Sequence, residues 1–389
     1  MTILHIITRM ILGGAQRNTV LTCAAQAKAG HEVWLAHGPV YGPEGSMLPE
    51  AQRSGARVVE IKAMRRAVLL MHDWLAYRSL RKLIGEVRPD VVQTHSSKAG
   101  ILGRAAAWSS GVPAVVHTVH GPPFHDRQGA LRNRLFIGAE RWAARRCHRI
   151  VCVAAAMRRQ FEAQSIGRPE QFVVVHNGFD VSQYERLLAA APARDHVRCA
   201  LGVPPEAGLV GVVGRLDKDK GHDDLLDVFE DSRKAAGDIH LLFVGEGWHG
   251  DALRQRVSAA GWGGRVHFTG MVPLARLVEL LRAMDVMVLP SYREGLPRTM
   301  VEALLCDCAI AGYDVDGMGE ICLDGQTGRL VPLADRPALR DAIVWLLQNE
   351  DQRRALIERG RQLVHEQFKI NAVVKQTQHV YNSVLAARK

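Results

Sequence analysis

Residues Val286-Met287-Val288-Leu289-Pro290-Ser291-Tyr292-Arg293-Glu294-Gly295-Leu296-Pro297-Arg298-Thr299-Met300-Val301-Glu302-Ala303-Leu304 read as one strand–loop–helix unit. Val286–Leu289 is a continuous apolar run, the pattern of a strand covered on both faces. Pro297 suits the first turn of the next helix, where its missing N–H is not needed. The spacing predicts that helix over Thr299–Cys306.

Outward from this unit the same rhythm repeats. Toward the middle of the chain, strands are predicted at Leu209–Gly214, His240–Val244 and Val266–Thr269, and beyond it at Cys308–Gly312 and Arg329–Val331. Helical patterns Asp223–Ala235 and Leu274–Met284 lie between them, and the last fifty or so residues read as helices. The first half alternates in the same way, with strands at Ile3–Ile7, Glu32–His37, Arg57–Ile61, Asp90–Thr94, Ala114–Thr118, Arg149–Val153 and Phe172–His176. Its clearest helices are Ala15–Ala29, Trp74–Val87, Ala99–Trp108 and Leu131–Arg146. Regular βα alternation with buried strands implies α/β domains, each a doubly wound parallel sheet.

The looser stretch Leu187–Glu206 reads as the region between two such domains. The expected organisation is therefore 1–190 and 191–368, with 369–389 a final helix packing back on the first domain. Ligands of open α/β sheets bind at the carboxyl ends of the strands. With two sheets in tandem, the cleft between them is the expected site.

The chain has 389 residues, 47% of them hydrophobic and 23% charged, enough for two ordinary globular cores. The longest apolar runs fall far short of the ~20 residues a membrane span needs. The N-terminus enters a strand directly, so no secretory leader is expected. Seven scattered cysteines lack the spacing of a zinc site or a CxxC pair and read as free thiols. The net charge of +10 is uneven: residues 1–190 carry 25 Lys and Arg against 13 Asp and Glu. A basic first half points to an anionic partner.

Several loops carry residue types suited to phosphate and sugar chemistry. Gly13-Gly14 stands at a strand-to-helix turn, where backbone N–H groups can approach a phosphate. Gly214-Arg215 and Lys220-Gly221 place two cations on one loop. Arg offers a planar fork and Lys a point charge for a departing pyrophosphate. Asp217-Lys218-Asp219 spells D-x-D, but between two cations it is not expected to hold a metal. Glu294 and Glu302 can accept hydrogen bonds from sugar hydroxyls, with the backbone of Gly295, Leu296 and Pro297 near the phosphates. Of the histidines that follow strand ends, His120 is best placed to reach a ligand, and His117 reads as buried support.

Taken in order, Gly13-Gly14-Ala15-Gln16, Thr94–Arg104, His117-Thr118-Val119-His120-Gly121, His176–Asp180, Gly214-Arg215 with Lys220-Gly221, Gly245-Glu246-Gly247 and Glu294-x7-Glu302 resemble the retaining glycosyltransferases of family 4. That resemblance implies the GT-B fold, two tandem Rossmann-like domains facing across a cleft, with the acceptor on the first and the nucleotide sugar on the second. It implies catalytic roles for His120, Arg215, Lys220 and Glu294. The donor would be held by Gly13, Gly14, Gly214, Met271, Val272, Gly295, Leu296, Pro297 and Glu302. It further implies a hexose or N-acetylhexosamine donor, UDP-linked more often than GDP-linked, and no metal or other cofactor. Two segments depart from the family pattern: Leu305-Cys306-Asp307-Cys308, and Asp316-Gly317-Met318-Gly319-Glu320.

Many relatives of this kind modify lipid-linked acceptors, which gives the basic first half a use. Arg65, Arg66 and the apolar run to Trp74, together with Arg141 and Arg145 beside Trp142, suit docking on anionic lipid. Lys98 is an acceptor-side candidate. The expected place of work is the inner face of the cytoplasmic membrane, without nucleic acid as a partner. Two alternatives stay open at this point: a sugar-nucleotide epimerase on the same fold, and a basic nucleic-acid-binding or regulatory protein.

Overall fold

The computed structural model describes residues 1–41, 45–125 and 128–387. They form two compact units, Met1–Phe179 with Phe368–Lys389, and Asp180–Gln367.

The first unit holds seven parallel strands: β1 (Thr2–Arg9), β2 (Glu32–Gly38), β3 (Arg57–Glu60), β4 (Val91–His95), β5 (Ala114–Val119), β6 (Arg149–Cys152) and β7 (Phe172–Val174). Their order is β3-β2-β1-β4-β5-β6-β7. Every residue of β4 and β5 is buried, as a strand covered on both faces requires. Along β1 the side chains alternate between faces. Leu4 and Ile6 pack with Ala76, Leu80 and Ile84 of the helix Leu70–Val87. Ile3 packs with Val373, Val380 and Tyr381 of the last helix, Ile370–Ala386, and Ile7 with Val20 and Cys23 of the helix Gly14–Lys28.

The second unit repeats the plan with β8 (Gly208–Val213), β9 (Ile239–Val244), β10 (Val266–Gly270), β11 (Val286–Leu289), β12 (Ala309–Tyr313) and β13 (Arg329–Val331), in the order β10-β9-β8-β11-β12-β13. In each unit the chain winds one way from its first strand and then returns to the other side of it. The order reverses between β1 and β4, and between β8 and β11. At such a switch point the flanking loops part and leave a crevice beyond the carboxyl ends. The architecture is thus two parallel-sheet Rossmann-like units, as the alternating pattern predicted.

The stretch 187–206 is more ordered than its composition suggested. It continues the helix Val181–Ala190 and contains the helix Arg194–Ala200, both in the second unit. The side chain of Arg198 explains why. Its Nη2 lies 2.6 Å from Asp285 Oδ2, its Nε donates to Ala283 O at 2.9 Å, and its Nη1 donates to Pro205 O and Ala207 O, both at 2.8 Å. Asp285 Oδ2 also accepts from Leu209 N at 2.8 Å. One buried guanidinium therefore ties this segment to the entries of β8 and β11. Burial pushes the Asp285 carboxyl up, but Arg194 and Arg198 outweigh it and hold it below the usual carboxylate range.

Candidate active site

At the switch point of the second unit, two loops leave β8 and β11 and lock together. After β8 come Gly214 and Arg215, then a single 3-10 turn, Lys218–Lys220. Gly221 follows in the left-handed region (φ 66°) and opens the helix His222–Ala236. A Cβ on Gly221 would sit 1.8 Å from Pro290 O, so only glycine allows the loops this close. Tyr292 N donates to Asp219 O at 2.9 Å across the same seam.

This approach brings Lys220 Nζ to 2.5 Å from Glu294 Oε1, with the side chains 23% and 12% exposed. The pair is shielded yet reachable. Glu294 N in turn donates to Asp316 Oδ2 at 2.7 Å, and Gly317 N to Gly295 O at 3.1 Å, so the loop after β12 braces the Glu294 loop from outside. Buried Asp224 braces it from below. Its Oδ2 accepts from Tyr292 and Tyr313 hydroxyls at 2.8 and 2.9 Å, while its Oδ1 accepts from Arg336 Nε at 3.0 Å. None of Asp224, Asp316, Tyr292, Tyr313 and Arg336 was singled out from the sequence as a site residue. Asp224 sits close in sequence to Asp217, Asp219 and Asp223, and its partners lie far away along the chain.

Arg215 behaves differently from Lys220. Its Nε is 2.8 Å from Asp217 Oδ2, and the side chain is 56% exposed. Glu302 is buried on the helix Arg298–Leu305, where its Oε1 accepts from Tyr184 OH at 2.8 Å. Burial, with the Glu302 charge nearby, pushes the Cys306 thiol well up, so that cysteine packs and does not react. Pro297 caps the Arg298–Leu305 helix from the preceding position, not within its first turn, and Leu296 is buried beside it.

The loops after β9 and β10 join the same end of the sheet. Gly245 N donates to Gly270 O at 3.0 Å, and a Cβ on Gly245 would lie 2.0 Å from Gly214 O. Gly214, Gly245 and Gly270 therefore meet backbone to backbone, and Met271, 53% exposed, and half-buried Val272 follow directly. The structure thus gathers Gly214, Lys220, Glu294 and Gly295 at adjoining strand ends, with Met271 and Val272 following Gly270 two strands away from Gly214. Among the described residues no three His, Cys, Asp or Glu side chains converge as a metal-ligand set.

The remaining candidates lie in the first unit. Gly13 caps the helix Gly14–Lys28 in an extended conformation, both glycines are exposed, and no acidic residue occupies the first turn. That leaves the positive helix end unshielded. His120 follows β5, and its Nε2 lies 3.1 Å from Nδ1 of His95 at the end of β4. His117 is buried, 2.9 Å from Thr94 Oγ1, and burial holds its pKa well below the ordinary value.

Lys98 does not stand out toward a ligand. Its Nζ is 2.5 Å from Asp73 Oδ1 and donates to Ala67 O at 2.7 Å. It pins the segment 67–73, on which Val68, Leu70 and Met71 are 70%, 87% and 75% exposed, and the next residue, Trp74, is 54% exposed. Arg65 and Arg66 flank that apolar segment, and the Arg78 guanidinium lies 4.8 Å from the Trp74 ring centroid. Arg141 and Arg145 are placed elsewhere. They line a cavity of about 660 Å³ with Trp108, His148, Arg149 and Arg168, at the amino ends of β6 and β7. Arg65 and Arg66 follow the carboxyl end of β3, so the two basic segments occupy opposite ends of the sheet. Parallel strands make this unavoidable, because a helix that starts at one end of the sheet finishes at the other.

Residues 12–183 match the family model described as Glycosyltransferase Family 4, and residues 193–363 match the model for glycosyl transferases group 1. The chain belongs to glycosyltransferase family 4. A phosphatidyl-myo-inositol mannosyltransferase of Mycolicibacterium smegmatis is 28% identical over 96% of this chain and 91% of its own length. A 2-deoxystreptamine N-acetyl-D-glucosaminyltransferase of Streptomyces fradiae is 30% identical over 66% of this chain and 62% of its own. The Escherichia coli galactosyltransferase acting with UDP-Gal on α-D-GlcNAc-diphosphoundecaprenol is 26% identical over 77% of each. In fold, the family 4 chain matches HepE of Anabaena, solved with UDP-glucose, at a TM-score of 0.81 and 19% identity, covering 98% of this chain and all of that one. This glycosyltransferase has, among its described residues, no helix long and apolar enough to cross a membrane.

Proposed function

We propose that this glycosyltransferase moves a hexose or N-acetylhexosamine from a nucleotide sugar, UDP-linked in preference to GDP-linked, to a lipid-linked or saccharide acceptor with retention of configuration. The observation that carries the reading is the Lys220–Glu294 pair at the β8/β11 switch point. A donor nucleotide sugar presents a pyrophosphate and a ring of hydroxyls side by side, and this pair presents a cation and a carboxylate in the same relation. Lys220 has three N–H donors, of which Glu294 takes one, and charge building on the leaving phosphate would draw on the others. Exposed Arg215 supplies a second cation once a phosphate displaces Asp217 from it. Glu294 accepts from sugar hydroxyls, and Glu302, Met271, Val272 and the Gly295–Pro297 backbone complete the donor site. In the first unit, Gly13, Gly14 and His120 attend the phosphates and the transferred sugar.

The reading includes no metal, because two cations already meet the leaving group. The segment Arg65–Trp74 is its docking surface for anionic lipid at the inner membrane face, and several relatives by name act on lipid-linked or lipid substrates. Calorimetry with UDP, GDP and ADP, with and without EDTA, tests the donor part. Tight binding of one nucleotide, unchanged by EDTA and lost in an Arg215→Ala/Lys220→Ala variant, is the expected result. Binding that depends on a divalent ion, or no binding at all, sinks it.

A further inference from the structure

The cavity lined by Arg141 and Arg145 stands at the end of the first unit's sheet opposite to Gly13 and His120. It forms where the helices Ser97–Ser109, Ala130–Ala144 and Ile370–Ala386 finish and where β6 and β7 begin. Buried Gln171 gives it a fixed floor. The Gln171 Nε2 donates to Ala144 O at 3.1 Å and to Cys147 O at 2.6 Å, and the Oε1 accepts from Arg168 N at 2.9 Å. One amide therefore ties the end of a helix to the entry of β7, and the hollow belongs to the fold.

Four arginines line this cavity, Arg141, Arg145, Arg149 and Arg168, and among the described residues lining it there is no Asp or Glu. Arg168 pairs with Glu170 at 2.8 Å, both side chains being exposed. The other three have no carboxylate partner among the described residues. Arg141 gives its Nε to Gln164 O at 2.9 Å, and Arg149 gives its Nη1 to His148 O at 3.1 Å. A guanidinium has five N–H donors, so most of theirs stay uncommitted. Arg145 has no hydrogen-bond or ion-pair partner at all among the described residues.

Basic side chains near helix C-termini are ordinarily explained by the carbonyls they meet there. That accounts for one N–H of Arg141, whose acceptor Gln164 caps the helix Ala155–Ala163. It does not account for Arg145. In the second unit, where Arg194, Arg198 and Arg353 gather, Asp285 sits among them. No carboxylate of the described lining plays that part here, and cations gathered without a counter-charge favour a polyanion. Arginine forks suit phosphate oxygens in particular.

The cavity also offers an aromatic face. The Trp108 indole is 42% exposed and rests on His148, with ring centroids 5.0 Å apart. His148 Nδ1 accepts from Val115 N at 2.9 Å, which fixes that support against β5. A volume of about 660 Å³ lies in the ordinary range for small-molecule sites and suits a nucleotide.

We propose that this cavity is a second nucleotide site, made of other residues than the donor site, in which Arg141, Arg145 and Arg149 hold the phosphates of a soluble nucleoside triphosphate and Trp108 stacks on its base. Stacking is tolerant of base identity, so the phosphates and a planar ring define the ligand class. The site does not rest on the donor reading given above.

The test is calorimetry at low salt with ATP, UTP and inorganic pyrophosphate, on the full chain carrying Arg215→Ala/Lys220→Ala so that the donor loops are disabled. The expected result is one ATP or UTP bound per chain, with pyrophosphate weaker than either. Adding Arg145→Glu should weaken the nucleotides at least tenfold and leave the melting temperature unchanged, because that side chain is exposed and unpaired. Nucleotide should also change the tryptophan fluorescence, and Trp108→Phe should abolish that change. No binding of ATP or UTP overturns the proposal, and so does binding indifferent to Arg145→Glu. Pyrophosphate as tight as ATP overturns the stacking on Trp108. If the nucleotides stay silent while Arg145→Glu releases the chain from phosphatidylserine vesicles, the arginines meet membrane phosphates and the nucleotide site falls.

Discussion

Lys220 Nζ lies 2.5 Å from Glu294 Oε1, yet the two residues are 74 positions apart and reach each other only because Gly221 lets its loop press against Pro290 O. In the unliganded chain each is the other's partner, so a pyrophosphate arriving at Lys220 competes with a carboxylate already there. This sets a direction for substitutions. Glu294→Gln is expected to leave binding of bare nucleotide unchanged or to tighten it by no more than about 1 kcal/mol, the usual ceiling for a partly exposed pair. The same change should slow sugar transfer on the order of 100-fold, the scale for loss of one preorganised contact. Titration calorimetry with the nucleotide, beside a transfer assay, separates the two effects. Weaker nucleotide binding in Glu294→Gln would place Glu294 on the phosphates instead.

Gly221→Ala puts a Cβ against Pro290 O and demands a left-handed conformation of an L-residue, at roughly 1–2 kcal/mol for the backbone alone. The loops must then part. Nucleotide affinity should fall at least tenfold while the far-ultraviolet circular dichroism stays that of the unsubstituted protein. Affinity unchanged within twofold would show that the seam does not shape the site.

Arg198→Ala takes one of three arginines from buried Asp285, which keeps Arg194 and Arg353, and strips hydrogen bonds from three backbone carbonyls. With two arginines left, the cost should stay below the roughly 3–5 kcal/mol of a buried ion pair broken from one side. Urea unfolding should show that loss in the transition of the second unit and leave the transition of the first in place.

The same pair fixes a pH dependence. The Asp285 carboxyl is held below its ordinary value in the folded chain. Its contribution to stability is therefore complete above the usual carboxylate range and is lost as the pH falls through the depressed folded pKa. Asp285→Asn removes that dependence. Unfolding free energies of the two proteins, followed from pH 7 downward, should differ most at neutral pH and converge in acid.

On the first unit, Leu70→Asp/Met71→Asp should abolish sedimentation with vesicles containing phosphatidylserine, without change in melting temperature, because both side chains already stand in solvent. Arg65→Ala/Arg66→Ala should weaken it by ~1 kcal/mol per charge, and less at high salt. Arg141→Ala/Arg145→Ala, at the other end of the sheet, should leave it unchanged. Equal losses from both arginine pairs would mean that binding follows net charge and not this segment.

What the sequence made legible was local. Buried strands announce themselves as apolar runs, and Val286–Leu289 and Arg329–Val331 fall where the pattern placed them. Lys220 and Glu294 stood out because each sits on a loop at a strand end. Their pairing did not, since it depends on how β8 and β11 become neighbours. Asp224 was hidden for the same reason, its hydroxyl and guanidinium partners being supplied by Tyr292, Tyr313 and Arg336. Leu187–Glu206 misled through its alanines and prolines. The feature that orders it, Arg198 against Asp285, is a single long-range contact. His5 offered a cue that could have been used, a histidine inside the apolar run Ile3–Ile7, and the structure gives its buried ring His95 and Gln26 as partners.

The chain leaves its first unit at Phe179 and comes back to it at Phe368. Ribosomes deliver proteins from the amino end, and domains generally fold as they emerge. Here the half made first is the half finished last: the apolar face formed by Ile3, Val91 and Val116 waits for Val373, Val380 and Tyr381, and Gln26 waits for its hydroxyl partner. The second unit, contiguous from Asp180 to Gln367, can close while its predecessor is still open. A nascent chain stalled short of its last twenty residues would thus carry a complete β8–β13 unit joined to an unsealed β1–β7 sheet. Newborn copies would depend most on chaperones through that interval, and a late nonsense codon would cost the half of the protein encoded furthest from it.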